Sequence, residues 1–337
     1  MRVAINGFGR IGRAFVRASY GKGVDVVAIN DIGSPESLAY LLKYDTVYGR
    51  APFPVELKDR TLRIGDMEAK LYSEKDPGAL PWKSLAVDVV VESTGIFNEY
   101  EKAALHIKAG AKKVVITAPA KGDAPQGISS GMVLMGINDE KLKTCQISSN
   151  ASCTTNAASP LIAILDEAIG IEKAVLSTVH AYTASQALVD GPSRKELREG
   201  RAAAQNIVPS STGAAVAVTK VYEGLAGKFD GISLRVPVPA GSIADITFIA
   251  KRETSADEVN DILRKAAKEP RWEGIYTATD DELVSSDIVG EHYGAIADLS
   301  MTRVIGGNLV KVLSWYDNEM GYVATLVKHV LATGREA

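Results

Sequence analysis

The chain has little cysteine and little histidine. Two cysteines, Cys145 and Cys153, and four histidines, His106, His180, His292 and His329, occur in 337 residues. So few thiols in so long a chain exclude a disulfide framework. The scattered histidines give no metal-ligand spacing, so no metal site is expected. Long apolar runs are missing as well: none approaches the roughly 18–20 residues a membrane span needs. Nor is there an excess of one charge. With 38 basic and 41 acidic side chains the formal net charge is −3, which gives neither nucleic acid nor an anionic membrane a reason to bind. The opening residues, MRVAINGFGR, hold only a short apolar stretch before glycines. No signal peptide is expected, and a cytoplasmic location is.

What remains is an ordinary globular composition, 46% apolar and 23% charged, long enough for a large core and comfortable for two domains. Short apolar runs at 3–6, 24–30, 87–92, 113–117 and 132–137 alternate with helical patterns such as 13–20. Continuous rather than alternating hydrophobicity predicts a parallel sheet covered on both faces. The second half reads differently. Strand patterns at 174–183, 232–237, 243–251 and 309–316 predict a mainly antiparallel sheet. Pro239-Ala240-Gly241-Ser242 turns the chain between the second and third. A capping box, Ser255 with Glu258, opens a helix over 255–268. A last helix spans 321–333, with Gly334 as its stop. The expected domains are 1–150, a Rossmann dinucleotide-binding domain, and 151–318, an α+β domain. A C-terminal helix near 319–334 should pack back onto the first.

Gly7-Phe8-Gly9-Arg10-Ile11-Gly12 fits the pattern G-x-G-x-x-G. Alone the pattern is weak. Here a strand precedes it, a helix follows, and Asp31 closes the next strand. The glycines admit a pyrophosphate to the backbone, and the helix N-terminus offers N–H groups and partial positive charge. The bland alternative is a turn that only tightens strand-to-helix packing. Asp31 would accept from a ribose and repel a 2′-phosphate, favouring NAD over NADP. Gly33 and Ser34 leave room beside it, so use of both stays open.

The second signal is Asn150-Ala151-Ser152-Cys153-Thr154-Thr155-Asn156, directly before an apolar helical run at 161–169. Asn150 and Ser152 are good N-caps, which puts Cys153 in a first helical turn, where the macrodipole favours a thiolate. Pro160 should bend this helix or end its first turn. A buried, inert thiol is the usual fate of a free cysteine; that suits Cys145 better than Cys153, whose neighbours are hydroxyls and amides. A nucleophilic thiol needs a base. Strand alternation puts His180 on one face with Thr178 and Tyr182, although a lone histidine is more often structural. The polar stretch 183–209 is long for a loop in a compact domain, as functional or interface loops are.

Seven segments then carry a resemblance: INGFGRIGR at 5–13, LLKYDT at 41–46, SNASCTTN at 149–156, HAYT at 180–183, GRAAAQNIVPSSTGAA at 200–215, LRVPVP at 234–239 and WYDNE at 315–319. Together, and in this order, they resemble the glyceraldehyde-3-phosphate dehydrogenase family over essentially the whole chain. The resemblance implies NAD-dependent oxidation and phosphorylation of glyceraldehyde 3-phosphate to 1,3-bisphosphoglycerate, in glycolysis or gluconeogenesis, by a homotetramer. It implies Cys153 as nucleophile and His180 as its base. Thr183 and Arg235 match the site for the substrate's own phosphate; Ser152, Thr154, Thr212 and Gly213 match the site for inorganic phosphate. On the cofactor side stand Asn6, Gly7, Gly9, Arg10, Ile11, Gly12, Asp31, Lys75, Thr94, Gly95, Thr117 and Asn318. The stretch 183–209 resembles the loop that reaches a neighbouring subunit's cofactor site, and Pro192 within it resembles the NAD-preferring branch. Four positions depart from the family pattern: Ala157 for a second cysteine, Met320 for tryptophan, Val216 for lysine and Lys75 for arginine. Two other readings stay in view. One is an erythrose-4-phosphate dehydrogenase with the same cysteine and histidine. The other is a redox sensor acting through Cys153 beside catalysis.

Overall fold

A computed structural model of the chain describes residues 1–193 and 196–337. The first compact unit comprises Met1–Ala151 and Leu326–Ala337, the second Ser152–Thr325.

In the first unit the strands are β1 (Arg2–Asn6), β2 (Asp25–Asn30), β3 (Tyr44–Asp45), β4 (Gly49–Arg50), β5 (Val55–Lys58), β6 (Thr61–Ile64), β7 (Met67–Tyr72), β8 (Val89–Glu92), β9 (Lys113–Ile116), β10 (Ser130–Met132) and β11 (Ile147–Ser149). Its helices are α1 (Arg10–Ser19), α2 (Pro35–Lys43) and α3 (Tyr100–Lys108). Nine strands form one sheet in the order β10-β11-β9-β8-β1-β2-β7-β6-β5, and β3 pairs with β4 apart from it. Strands β8 and β9 are buried at every residue, as strands covered on both faces must be. Val90, Ala103, Val114, Ile147 and Trp82 close one core here, each large side chain contributing about 2 kcal/mol by leaving water.

The parallel expectation holds from β10 to β7 and fails at one edge. There β5, β6 and β7 run antiparallel as a meander. Their sequences, VELK, TLRI and MEAKLY, alternate in polarity, as strands with one wet face do. Two boundaries also move. Helix α1 begins at Arg10, so the second half of the glycine motif is already helical. Strand β10 ends at Met132, and Leu134 to Asn138 form a turn closed by Asn138, whose Oδ1 accepts from Leu134 N at 2.8 Å.

In the second unit the strands are β12 (Ile171–Ala181), β13 (Val208–Ser211), β14 (Phe229–Val236), β15 (Ser242–Ala250), β16 (Tyr276–Thr279), β17 (Ala295–Ile305) and β18 (Leu309–Tyr316). The helices are α4 (Cys153–Ile169), α5 (Ala214–Val221), α6 (Ala256–Ala266) and, crossing into the first unit, α7 (Met320–Arg335). The sheet order is β13-β14-β12-β15-β18-β17-β16. Four of its pairings are antiparallel and two parallel. The turn at 239–242 does not make a hairpin: β12 inserts between β14 and β15 and pairs with both. Strand β15 alternates, with Ala244, Ile246 and Phe248 turned into the core. Helices α4, α5 and α6 cover that face. On the other face Val175, Ile232, Ile305 and Leu309 stay exposed.

Helix α4 runs unbroken through Pro160, so of the two outcomes expected of that proline, a bend or an early end, the early end does not occur. A proline loosens the carbonyls three and four residues before it; Ser314 Oγ donates to one of them, Ala157 O, at 2.9 Å. Helix α7 likewise passes Gly334. A side chain at that position would collide with Met1, so the glycine serves a close contact rather than a stop. The helix with the Ser255–Glu258 capping box forms as expected, Ser255 Oγ accepting from Glu258 N at 3.2 Å.

Candidate active site

Three side chains meet at the C-terminal end of β12. Ser152 caps α4, its Oγ accepting from Thr155 N at 3.1 Å. The residue before it, Ala151, is buried with φ at 55°, a left-handed conformation that costs an alanine about 1–2 kcal/mol. Cys153 is thereby the first residue of the helix. Its Sγ lies 3.4 Å from His180 Nε2. His180 stands opposite Arg235 in the parallel register of β12 and β14.

His180 Nδ1 is 2.7 Å from Ala181 O and 2.5 Å from Arg235 Nη1. The Ala181 carbonyl can only accept and the Arg235 guanidinium can only donate, so Nδ1 has competing neighbours; with its proton directed at Ala181 O, the Nε2 lone pair faces Cys153. Burial, then the Arg235 charge, push His180 from its ordinary 6.5 down to about 3. Burial pushes the Cys153 thiol up, while Arg235 and hydrogen bonds at Thr154 pull it back. Taken singly, each group is pushed toward its neutral form by burial. Taken as a pair, a proton passing from Sγ to Nε2 leaves the net charge unchanged. Burial therefore opposes that transfer far less than it opposes either charge alone. Cys153 also keeps part of its surface exposed, open to a small electrophile.

The remaining residues expected here take distinct places. Thr154 Oγ1 is turned inward, 2.8 Å from Tyr316 Oη, which also lies 2.8 Å from Thr178 Oγ1. Thr183 follows the strand end, with Oγ1 3.0 Å from Ser185 Oγ. Thr212 and Gly213 form the corner into α5, where Thr212 Oγ1 accepts from Ala214 N at 3.2 Å. Arg235 Nε is buried without a partner, which leaves the guanidinium short of an acceptor. Asn318 Oδ1 accepts from Ser242 Oγ at 3.0 Å, and that oxygen accepts from Ala181 N at 3.1 Å. Asn318 is thus tied to the segment that carries His180. The expected loop at 183–209 contains the short helix Leu197–Gly200 and leads into β13; positions 194 and 195 within it lie outside the described residues.

The first unit holds a cavity of about 460 Å³ lined by Asn6, Gly7, Gly9, Asp31, Lys75 and Thr94 among others, a size suited to part of a dinucleotide. Gly7 has φ at 91°, and a side chain there would meet Thr94 N at 2.6 Å. Gly9, by contrast, faces open space at the start of α1, so an anion can reach the first-turn N–H groups. Asp31 is fixed by Phe8 N and Gly33 N at 2.6 and 2.8 Å. Arg10 pairs with Asp45 at 2.7 Å, Gly12 packs on the Gly7 carbonyl, Gly95 takes φ of 70°, and Thr117 N donates to Glu92 O. The donor set fits a dinucleotide: glycines beneath a pyrophosphate, a carboxylate at a ribose.

Sequence reasoning missed Tyr316, Ser242, Glu92 and His106, all polar and buried. Tyr316 and Ser242 have partners distant in the chain, 162 residues apart for Thr154 and Tyr316 and 76 for Ser242 and Asn318, so no local pattern marks them. Among the described residues no group of histidines, cysteines and carboxylates could hold a metal. No helix among them is long and apolar enough to cross a membrane.

Residues 1–100 match the family model described as "Glyceraldehyde 3-phosphate dehydrogenase, NAD binding domain", and residues 152–318 match the corresponding C-terminal domain. A glyceraldehyde-3-phosphate dehydrogenase of Streptomyces coelicolor is 46% identical over 340 residues, covering 100% of this chain and 99% of that protein. One from Mycobacterium avium is 47% identical, covering 99% of each, and one from Borreliella burgdorferi is 45% identical, covering 97% and 98%. With both domain models matched in order and relatives aligned end to end, the chain belongs to the glyceraldehyde 3-phosphate dehydrogenase family.

Proposed function

We propose that this protein is a phosphorylating, NAD-dependent glyceraldehyde-3-phosphate dehydrogenase serving glycolysis or gluconeogenesis in the cytoplasm. One observation carries the reading of the site: Cys153 Sγ lies 3.4 Å from His180 Nε2, with Arg235 directly behind. The unit around 1–151 is taken as the dinucleotide-binding domain and that around 152–325 as the catalytic one.

Cys153 Sγ adds to the aldehyde carbon as its proton passes to His180, which hands it on to the developing alkoxide to give a thiohemiacetal. Arg235 and Thr183 hold the substrate's phosphate, which sets the aldehyde over the sulfur. When bound, the nicotinamide supplies a hydride acceptor. His180 Nε2 takes the hydroxyl proton of the thiohemiacetal as the carbon is oxidised, leaving an acyl thioester on Cys153. Ser152, Thr154, Thr212 and Gly213 form the inorganic phosphate site; Thr154 must turn from Tyr316 or act through its N–H. A phosphate oxygen attacks the thioester, the C–S bond breaks, and the departing Cys153 sulfur takes back the proton held on His180, which restores both groups for the next turnover. The family resemblance gives Asn318, held by Ser242, the role of orienting the carboxamide of the cofactor, and Asp31 favours NAD.

The exposed apolar side chains of Val175, Ile232, Ile305 and Leu309 on the outer sheet face support a homo-oligomer that buries them, with a tetramer as the family resemblance implies. The deciding assay is NADH formation from glyceraldehyde 3-phosphate with and without inorganic phosphate, beside the same pair with erythrose 4-phosphate. Fast, phosphate-dependent turnover of the triose is expected. A rate indifferent to phosphate, or faster with the tetrose, overturns the assignment.

A further inference from the structure

A polar chain lies behind the dinucleotide cavity, wholly inside the first unit. Glu92 ends β8 and is 2% exposed. Four donors hold its carboxylate. Thr94 N and Oγ1 donate to Oε1 at 2.9 and 2.5 Å. Asn6 Nδ2 donates to Oε2 at 2.6 Å, and His106 Nε2 lies 3.0 Å from the same oxygen. His106 is fully buried on α3. Its Nδ1 faces Trp82 Nε1 at 2.9 Å. An indole N–H can only donate, so Nδ1 accepts and the ring proton sits on Nε2, aimed at Glu92. Trp82 therefore selects the tautomer.

The same chain runs outward. Asn6 Oδ1 accepts from Asn30 Nδ2 at 2.7 Å, and Asn30 also bonds both the N–H and the carbonyl of Glu74, at 2.8 and 2.9 Å. Thr94 Oγ1 accepts from Ile96 N at 3.0 Å. Asn6, Asn30, Glu74, Thr94 and Ile96 all line the cavity, whereas Trp82 and His106 do not. A buried carboxylate with an unfilled oxygen is costly, and it turns or takes up a proton to relieve that cost. With four fixed donors it stays an acceptor in one orientation, and the wall built on it stays put.

We propose that His106 is a positioning residue for the dinucleotide: with its tautomer set by Trp82, it locks Glu92 and through it the Asn6 and Thr94–Ile96 wall of the cavity. Affinity then comes from a wall ordered before the cofactor arrives. This inference rests on placing the cofactor in the cavity between Asn6 and Phe97.

The test measures NAD dissociation constants by calorimetry for His106→Ala, His106→Gln, Trp82→Phe and, as a control on the cavity itself, Asp31→Ala. Thermal unfolding is followed separately. Loss of one buried hydrogen bond to a charged group is worth about tenfold, so His106→Ala should raise Kd and KM for NAD by about that factor. Its kcat at saturating NAD, and the alkylation rate of Cys153 without NAD, should stay at wild-type values. His106→Gln, which keeps a donor toward Glu92, should restore Kd to within about threefold of wild type. A merely structural role would lower the melting temperature and leave Kd of the folded protein unmoved. Wild-type Kd in His106→Ala with a weakened Asp31→Ala overturns the relay alone. Wild-type Kd in both shows that the cofactor sits elsewhere, and the inference falls with that placement. Should His106→Ala not fold, Trp82→Phe carries the test: a Kd raised about threefold supports the proposal, and an unchanged Kd overturns it.

Discussion

His180 and Arg235 face each other across two parallel strands, with Arg235 Nη1 2.5 Å from His180 Nδ1. A positive charge there disfavours a second proton on the ring. Arg235→Gln is expected to shift the acid limb of the kcat/KM profile to higher pH, because the imidazole becomes easier to protonate. The same change should raise KM for the phosphorylated aldehyde by about tenfold or more, through loss of a charged hydrogen bond. An unmoved acid limb would separate Arg235 from the titration of His180.

Cys153→Ser should abolish turnover, by on the order of a thousandfold or more, while NAD binding measured by calorimetry stays intact. Wild-type turnover in this variant would exclude the covalent route.

In His180→Asn, Cys153 loses the acceptor 3.4 Å from its sulfur. Alkylation of Cys153 by iodoacetamide at neutral pH should then slow by about tenfold or more, since burial alone holds the thiol protonated. An equal rate in the two proteins would remove His180 from the pair.

His329, fully buried, lies 2.8 Å from Ser148 Oγ and 3.0 Å from Asn150 Oδ1. Burial lowers its pKa from the ordinary 6.5 to about 3. The unfolded chain therefore binds a proton below 6.5 that the folded chain refuses. Stability is full above pH 6.5 and declines as pH falls toward 3, by up to about 1.4 kcal/mol per unit. Melting temperatures of wild type and His329→Gln from pH 8 to pH 4 check this. The variant should start lower by about 1–3 kcal/mol, with two buried polar groups disturbed, and fall less steeply. Parallel curves would place the acid sensitivity elsewhere.

Val175→Asp with Ile232→Asp should shift the protein toward smaller species in light scattering behind gel filtration. The two side chains are exposed on the outer face of the second sheet, where a carboxylate in a closed interface costs several kcal/mol. An unchanged mass would move the contact to another surface.

Much of the site was legible because its chemistry is local. Gly7 to Gly12 and Ser152 to Cys153 act through backbone turns that neighbouring residues set, and His180 shows its face by strand alternation. The pairing of strands was not legible. A period of two says which side chains share a face and nothing about which strand lies alongside, so β12 could enter between β14 and β15 unannounced. The environment of Cys153 was legible only in part: a helix N-terminus is read from adjacent residues, whereas the burial that pushes its thiol up is set by the tertiary fold. Tyr316 and Ser242 likewise hold functional groups in place over long separations.

Strand β12 is bonded on both sides, to β14 and to β15, and His180 is its penultimate residue. An interior strand cannot slide or swing without breaking two ladders. The base is therefore an immobile reference point, and any adjustment to a different aldehyde falls to the segment that begins at Thr183. Chain-length preference should be transplantable by exchanging that segment, with the proton-transfer apparatus left as it stands.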